Sequence, residues 1–222
     1  MSKSLVACTE KYPTKTAILW ERISLFYEVV LYKIDIFGLV GAQIFIENTD
    51  NKNFKLSFNL SAKTFISPGI IFKITSLLKK YDFNPLNLEI ELTETIVISD
   101  YEHFSNIIEE LHSLGISIAL DDFTAGFSSM EYLTNLHIDT VKLDRALIID
   151  TENNNEKGIK KRGMYRMLTQ MINQMGLNVV SEGLDDEKHY NLIKEAGVQI
   201  GQGYYFSKPI TFEELKSFEL NC

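Results

Sequence analysis

Cysteine occurs only as Cys8 and Cys222 in a chain of 222 residues. Two cysteines near the two ends build no disulfide framework, which favours a reducing, cytoplasmic setting. Long apolar runs are missing too. The opening MSKSLVACTEKYP has too short an apolar run for a secretory signal. The greasiest stretch, 25–46, is broken by Glu28, Lys33 and Asp35, so no membrane span is expected. A basic surplus is lacking: the formal net charge is −8, which argues against a general nucleic-acid binder. Such a chain can still bind a phosphate ligand, but it then needs a metal ion or a few placed cations. The four histidines, His103, His112, His137 and His189, share no metal-ligand spacing, so zinc is not expected. No linker, low-complexity tract or sharp change of composition divides the sequence. One domain over 1–222 is the expectation, with 1–53 harder to read than the rest.

What is present is a regular alternation from about residue 54 onward. Strand-like runs fall at 56–62, 86–94, 116–123, 138–144, 178–183 and 198–204. Between them, apolar residues recur at helical spacing. Ser67 before Pro68 reads as a cap for Ile70, Ile71, Ile74, Leu77 and Leu78. Ser99 with Glu102 reads as a capping box, and Gly115 closes that helix. Met164, Met167, Leu168, Met171, Ile172 and Met175 follow helical spacing, read as core and stop at Gly176. The basic run Lys157, Lys160, Lys161 and Arg162 reads as a solvated turn before them. Thr211 and Glu214 cap a last helix. The first part is expected to hold a short strand at 4–8, a helix over 16–40 and a loop at 47–53. Strand and helix in unbroken alternation imply βαβ units and a parallel sheet, and at least six units favour a closed α/β barrel over an open doubly wound sheet.

The last polar residues of these strands form a set: Asn59; Glu91 and Glu94; Asp121 and Asp122; Lys142 and Asp144; Glu182; Gln202. In a parallel barrel the carboxyl ends of all strands open on one face, where the loops build the active site. The oxygen ligands Asn, Glu and Asp, without Cys or His, suit Mg²⁺, Mn²⁺ or Ca²⁺ rather than zinc. Adjacent aspartates can serve two ions, and two ions roughly 3.5–4 Å apart clamp a phosphodiester for in-line attack by water. Lys142 and Glu182 are then candidates for positioning or deprotonating that water. The bland alternative is helix capping and plain ion pairing, Lys142–Glu182 or Asp144–Arg145 among them.

The segments FNLSA, EIELTET, IALDDFTAGFSSMEYL, IDTVKLDRALI, VVSEGL and GQGYYFSKP resemble the successive motifs of the EAL-domain family over about 54–215. The resemblance implies a TIM-like (β/α)8 barrel of the EAL type, with a divergent first-strand region, that hydrolyses cyclic di-GMP to linear pGpG with two ions of Mg²⁺ or Mn²⁺. It implies metal ligation by Asn59, Glu91, Asp121 and Asp122, and water handling by Lys142 and Glu182. It places Gln202, and with it Asp144, among substrate-binding positions, and Glu94 as the anchor of the loop after the aspartates. Two departures stand out. The nearest counterpart of the Glu-Ala-Leu strand is KSLVAC, where Lys3 replaces a metal-binding glutamate, and the motif's downstream arginine is missing. The loop reads Thr124-Ala125-Gly126-Phe127 where the family has Gly-Thr-Gly-Tyr. A phosphodiesterase-like protein with reduced activity is therefore expected; the alternative is a non-catalytic cyclic di-GMP receptor or a protein-interaction regulator. Cyclic di-GMP, a homodimer contact through the loop after Asp122 and a protein partner are expected; nucleic acid and membrane are not.

Overall fold

The structure is a computed structural model that describes residues 22–25, 55–93, 101–124 and 133–206. Seven strands and five α-helices lie in these segments: β1 (Arg22–Leu25), β2 (Lys55–Asn59), α1 (Ala62–Phe65), α2 (Ile70–Lys80), β3 (Leu88–Thr93), α3 (Tyr101–Ser113), β4 (Ser117–Phe123), β5 (Thr140–Leu143), α4 (Glu156–Gln174), β6 (Asn178–Ser181), α5 (Glu187–Ala196) and β7 (Ile200–Gly201). The described residues divide into two compact units, one with β1 to β4 up to Asp121 and the segment 133–139, the other with 122–124 and 140–206.

In the first unit β1, β2, β3 and β4 pair in sequence order, every pairing parallel. In the second unit β5, β6 and β7 do the same. Near-continuous burial along β3 and β5 is what a parallel strand covered on both faces requires. The covering is visible in the helices: α3 buries Phe104, Ile107, Ile108 and Leu111 at i, i+3, i+4, i+7 spacing. Gly115 closes that turn at φ +87°, where the Ile116 N–H donates to the Leu111 carbonyl at 3.1 Å.

Four local expectations are corrected. Residues 22–25, inside the span read as a helix, form a strand with Arg22 opposite Lys55; the β-sheet partner overrides a local helical pattern. The N-cap of α2 is Gly69 at φ 76°, not Ser67, whose hydroxyl donates back to the Thr64 carbonyl at 2.7 Å. The basic run lies in the first turns of α4, because Asn155 starts that helix by accepting from the Gly158 N–H at 2.8 Å. The methionines of α4 do not form its core face. Tyr165, Leu168, Thr169 and Ile172 are buried, while Met164, Met167 and Met175 are exposed. Leu168 and Ile172, which belong to the expected stripe, do face inward, and Tyr165 and Thr169 share that face in place of Met164, Met167 and Met175. The expected elements at 4–8 and 47–53, the Ser99 of the capping box and the helix after Thr211 lie outside the described residues.

Candidate functional site

Register brings the first candidates together. Asn59 lies opposite Glu91, Glu91 opposite Ala119, and Thr93 opposite Asp121. Partners in neighbouring parallel strands point to one face, and that face recurs every second residue. Asn59, Glu91 and Asp121 therefore share a face near the carboxyl ends of β2, β3 and β4. Leu88, Ile90 and Leu92 occupy the other face of β3, and all three are buried. The polar face continues toward the amino ends, where Glu89 is fully buried and its Oε1 accepts from the Ser57 hydroxyl at 3.0 Å. The sequence set omitted Glu89; its place two residues before Glu91 was the available signal.

The aspartate pair depends on a backbone departure. In a regular strand, side chains at successive positions point to opposite faces. Asp122 sits at φ 56°, in the left-handed region that aspartate tolerates better than most residues, and the alternation breaks there. Asp121 is buried and Asp122 exposed.

In the second unit, Asp122 and Glu182 offer carboxylate oxygens within 4.8 Å of each other. Glu182 follows β6, and its N–H donates to the Leu143 carbonyl at 3.1 Å, carrying the β5–β6 ladder one step past the strand. That step sets its carboxylate Oε1 at 2.8 Å from Nζ of Lys142, whose side chain is 3% exposed. Gln202 sits level with Glu182 beyond β7: its N–H donates to the Ser181 carbonyl at 2.8 Å. Asp144 is engaged locally, its Oδ1 accepting from the Ala146 N–H at 2.7 Å to cap the 3₁₀ turn Arg145–Leu147. Arg145 pairs with Asp185 rather than with Asp144. Glu94 lies outside the described residues, as does the loop 125–132; Thr124, before it, is exposed.

Oxygen ligands lie about 2.0–2.6 Å from Mg²⁺ or Ca²⁺, so two that share an ion are at most roughly 5 Å apart. The Asp122 and Glu182 oxygens meet that limit, and the donors are hard oxygens throughout. Like charges at this separation repel, and a divalent cation between them reverses the sign of the interaction. The residues present fit such an ion.

Parallel strands alternating with helices, and an acidic group at Asp122 and Glu182, define an α/β protein with oxygen donors suited to a hard cation. The sequence profile of the EAL domain matches residues 21–209, and the chain belongs to the EAL-domain family. The match reaches back into the stretch set apart as divergent. The signaling protein YkoW of Bacillus subtilis is 33% identical over 76% of this chain and 21% of its own length. The cyclic di-GMP phosphodiesterase PA2567 of Pseudomonas aeruginosa is 29% identical over 80% of this chain and 30% of its own length. The chain thus spans less than a third of these relatives. The EAL enzyme Bd1971, in its form with cAMP and cyclic di-GMP bound, superposes with a TM-score of 0.75 at 25% identity, over 83% of this chain and 49% of that one. The fold is the TIM-like α/β barrel of EAL domains, as expected. EAL phosphodiesterases depend on a metal, and the acidic group at Asp122 agrees with that. No described helix is long and apolar enough to cross a membrane.

Proposed function

We propose that this chain, read as one EAL-type domain over 1–222, binds cyclic di-GMP and cuts one of its phosphodiester bonds to give linear pGpG. The approach of Asp122 to Glu182, with Lys142 at 2.8 Å from the same glutamate, carries this reading. Asn59, Glu91, Asp121 and Asp122 would hold Mg²⁺ or Mn²⁺. Two such ions, when bound, neutralise the phosphodiester and make water a stronger nucleophile. Glu182 takes a proton from the attacking water, and Lys142 holds the Glu182 carboxylate in place. The water oxygen bonds to phosphorus, the P–O3′ bond breaks, and the leaving O3′ takes a proton from solvent while Glu182 returns its own to solvent. Gln202 and Asp144 contact the substrate, and Glu94 anchors the loop after Asp122. That loop is the proposed homodimer contact, a protein partner is part of the reading, and the setting is cytoplasmic. Lys3, the expected counterpart of the family's glutamate, lies outside the matched residues 21–209; loss of one anionic ligand would lower metal affinity or rate about 10–100-fold.

A hydrolysis assay with cyclic di-GMP and Mn²⁺, run beside a binding titration in EDTA, tests the proposal. The expected result is slow, Mn²⁺-dependent formation of pGpG. Binding in EDTA with no turnover at any Mn²⁺ concentration would make the chain a receptor. Neither binding nor turnover would favour the interaction regulator.

A further inference from the structure

The loop that carries Glu182 is held from two sides. Gly183 has φ +68°, and a Cβ built on it would stand 2.3 Å from Cγ and 2.7 Å from Cδ of Arg145. The aliphatic stem of Arg145 therefore lies directly on the Gly183 backbone, and its guanidinium pairs with the Asp185 carboxylate beyond it. On the other side, the Leu184 N–H donates to the Gln202 carbonyl at 3.1 Å and its carbonyl accepts from the Tyr205 N–H at 2.8 Å. That approach needs Gly203, whose Cβ would fall 2.2 Å from the Leu184 oxygen. Arg145 is itself fixed at its base by the Asp144 cap. Residues 182–185 are thus clamped between the turn after β5 and the turn after β7.

We propose that Arg145 is a positioning residue for the Lys142–Glu182 pair: its side chain lies across Gly183 and holds Asp185, so that the Glu182 carboxylate stays on Lys142. The proposal rests on the reading that these two residues handle the attacking water. The Arg145 side chain is 57% exposed, and its pair with Asp185 is a surface pair of little worth to stability. Its consequence lies in where Glu182 sits. An arginine is suited to this because a long apolar stem can cover a glycine while the charged head reaches past it.

The test compares the full chain with Arg145→Ala and Arg145→Lys in two measurements. In the Mn²⁺ hydrolysis assay, Arg145→Ala should lower kcat about 10-fold with KM within about 2-fold, and Arg145→Lys should restore most of it, since a 1 Å misplacement can cost more than this. The melting temperature should stay within about 3 °C of wild type. By amide hydrogen exchange, Arg145→Ala should speed exchange at Glu182 and Leu184 and leave Val179 unchanged. An unaltered kcat, or Arg145→Lys no better than Arg145→Ala, overturns the proposal. If the wild-type chain shows no turnover, the phosphodiesterase reading fails separately and the exchange arm decides alone: equal rates at Glu182 in wild type and Arg145→Ala overturn the proposal.

Discussion

Two lysine–carboxylate pairs in the second unit have the same chemistry in opposite surroundings. Lys142 and Glu182 meet at 2.8 Å with side chains 3% and 15% exposed. Lys157 and Asp150 meet at 3.1 Å with side chains 71% and 37% exposed. The first pair has been taken out of water, and its attraction must offset the cost of desolvating both charges. The second keeps its water and contributes little. A chain gains little stability from a buried pair that an apolar pair could not supply, so the burial of Lys142 is better explained by chemistry than by folding. Within β3 the contrast is of polarity and not of burial: Leu88, Ile90 and Leu92 and the carboxylates Glu89 and Glu91 are all buried, on opposite faces of one strand.

The largest effect should come from breaking the buried pair on one side only. Lys142→Ala leaves the Glu182 carboxylate in a dry site without its cation. It should cost roughly 3 kcal/mol, the low end of the range for buried pairs because Glu182 keeps some solvent, and about 100-fold or more in kcat. Lys142→Met combined with Glu182→Leu should recover most of the stability and none of the activity. Chemical denaturation beside the hydrolysis assay reads both. If the double variant is as unstable as Lys142→Ala, the pair is structural and the contrast with Lys157–Asp150 collapses.

A like-charged pair sharpens the comparison from the other direction. Asp121→Asn removes one of two neighbouring negative charges, so the metal-free chain should lose no stability and gain slightly, because the repulsion goes with the charge. Divalent-ion binding should fall by at least about 10-fold. Titration calorimetry with Mn²⁺ checks this, and unchanged affinity would remove Asp121 from the metal-binding set.

Much of this was legible because parallel strands announce themselves twice, as apolar runs and as polar residues where the runs stop. ALDDF placed β4 and its aspartates correctly, and VVSEG placed Glu182. What the sequence did not show was the backbone at Asp122. Nothing in DDF says that Asp122 takes φ 56° and turns its carboxylate toward Glu182. Glu89 was passed over because a glutamate inside a buried strand reads as alternation, and its Ser57 partner comes from another strand. The methionine stripe failed for a different reason. Leu168 and Ile172 fit either phase of the helical period, and Tyr165, fully buried on the inner face with Thr169 and Ile172, is a polar-tipped side chain that hydropathy undervalues. Burial pushes the Tyr165 phenol up above its ordinary value, as expected for a group on the inner face. The tie between Arg145 and Gly183 joins loops 38 positions apart and leaves no local trace.

The smallest effect belongs to the solvated pair, and it has a defined pH window. The hydrogen bond and charge of Lys157 hold the Asp150 carboxyl below its ordinary value of 3.8, desolvation opposes them, and Lys161 adds a lesser lowering. A carboxyl with a lowered folded pKa binds fewer protons in the native state than in the unfolded one near that pH, so stability rises with pH through the window. The contribution of Asp150 is therefore fully present above the unfolded value of about 3.9 and is lost as pH falls through the folded one. Asp150→Asn isolates it cleanly, because Asp150 sits at φ 67° and asparagine tolerates the left-handed region as well as aspartate does. Thermal melts of the two proteins should differ slightly at pH 6 and converge as pH falls below about 3.9, and added salt should shrink the difference at pH 6. A difference that persists unchanged in acid, or that resists salt, would mean that Asp150 acts by packing or capping rather than by charge, and that the exposed pair is not the solvated counterpart of Lys142–Glu182.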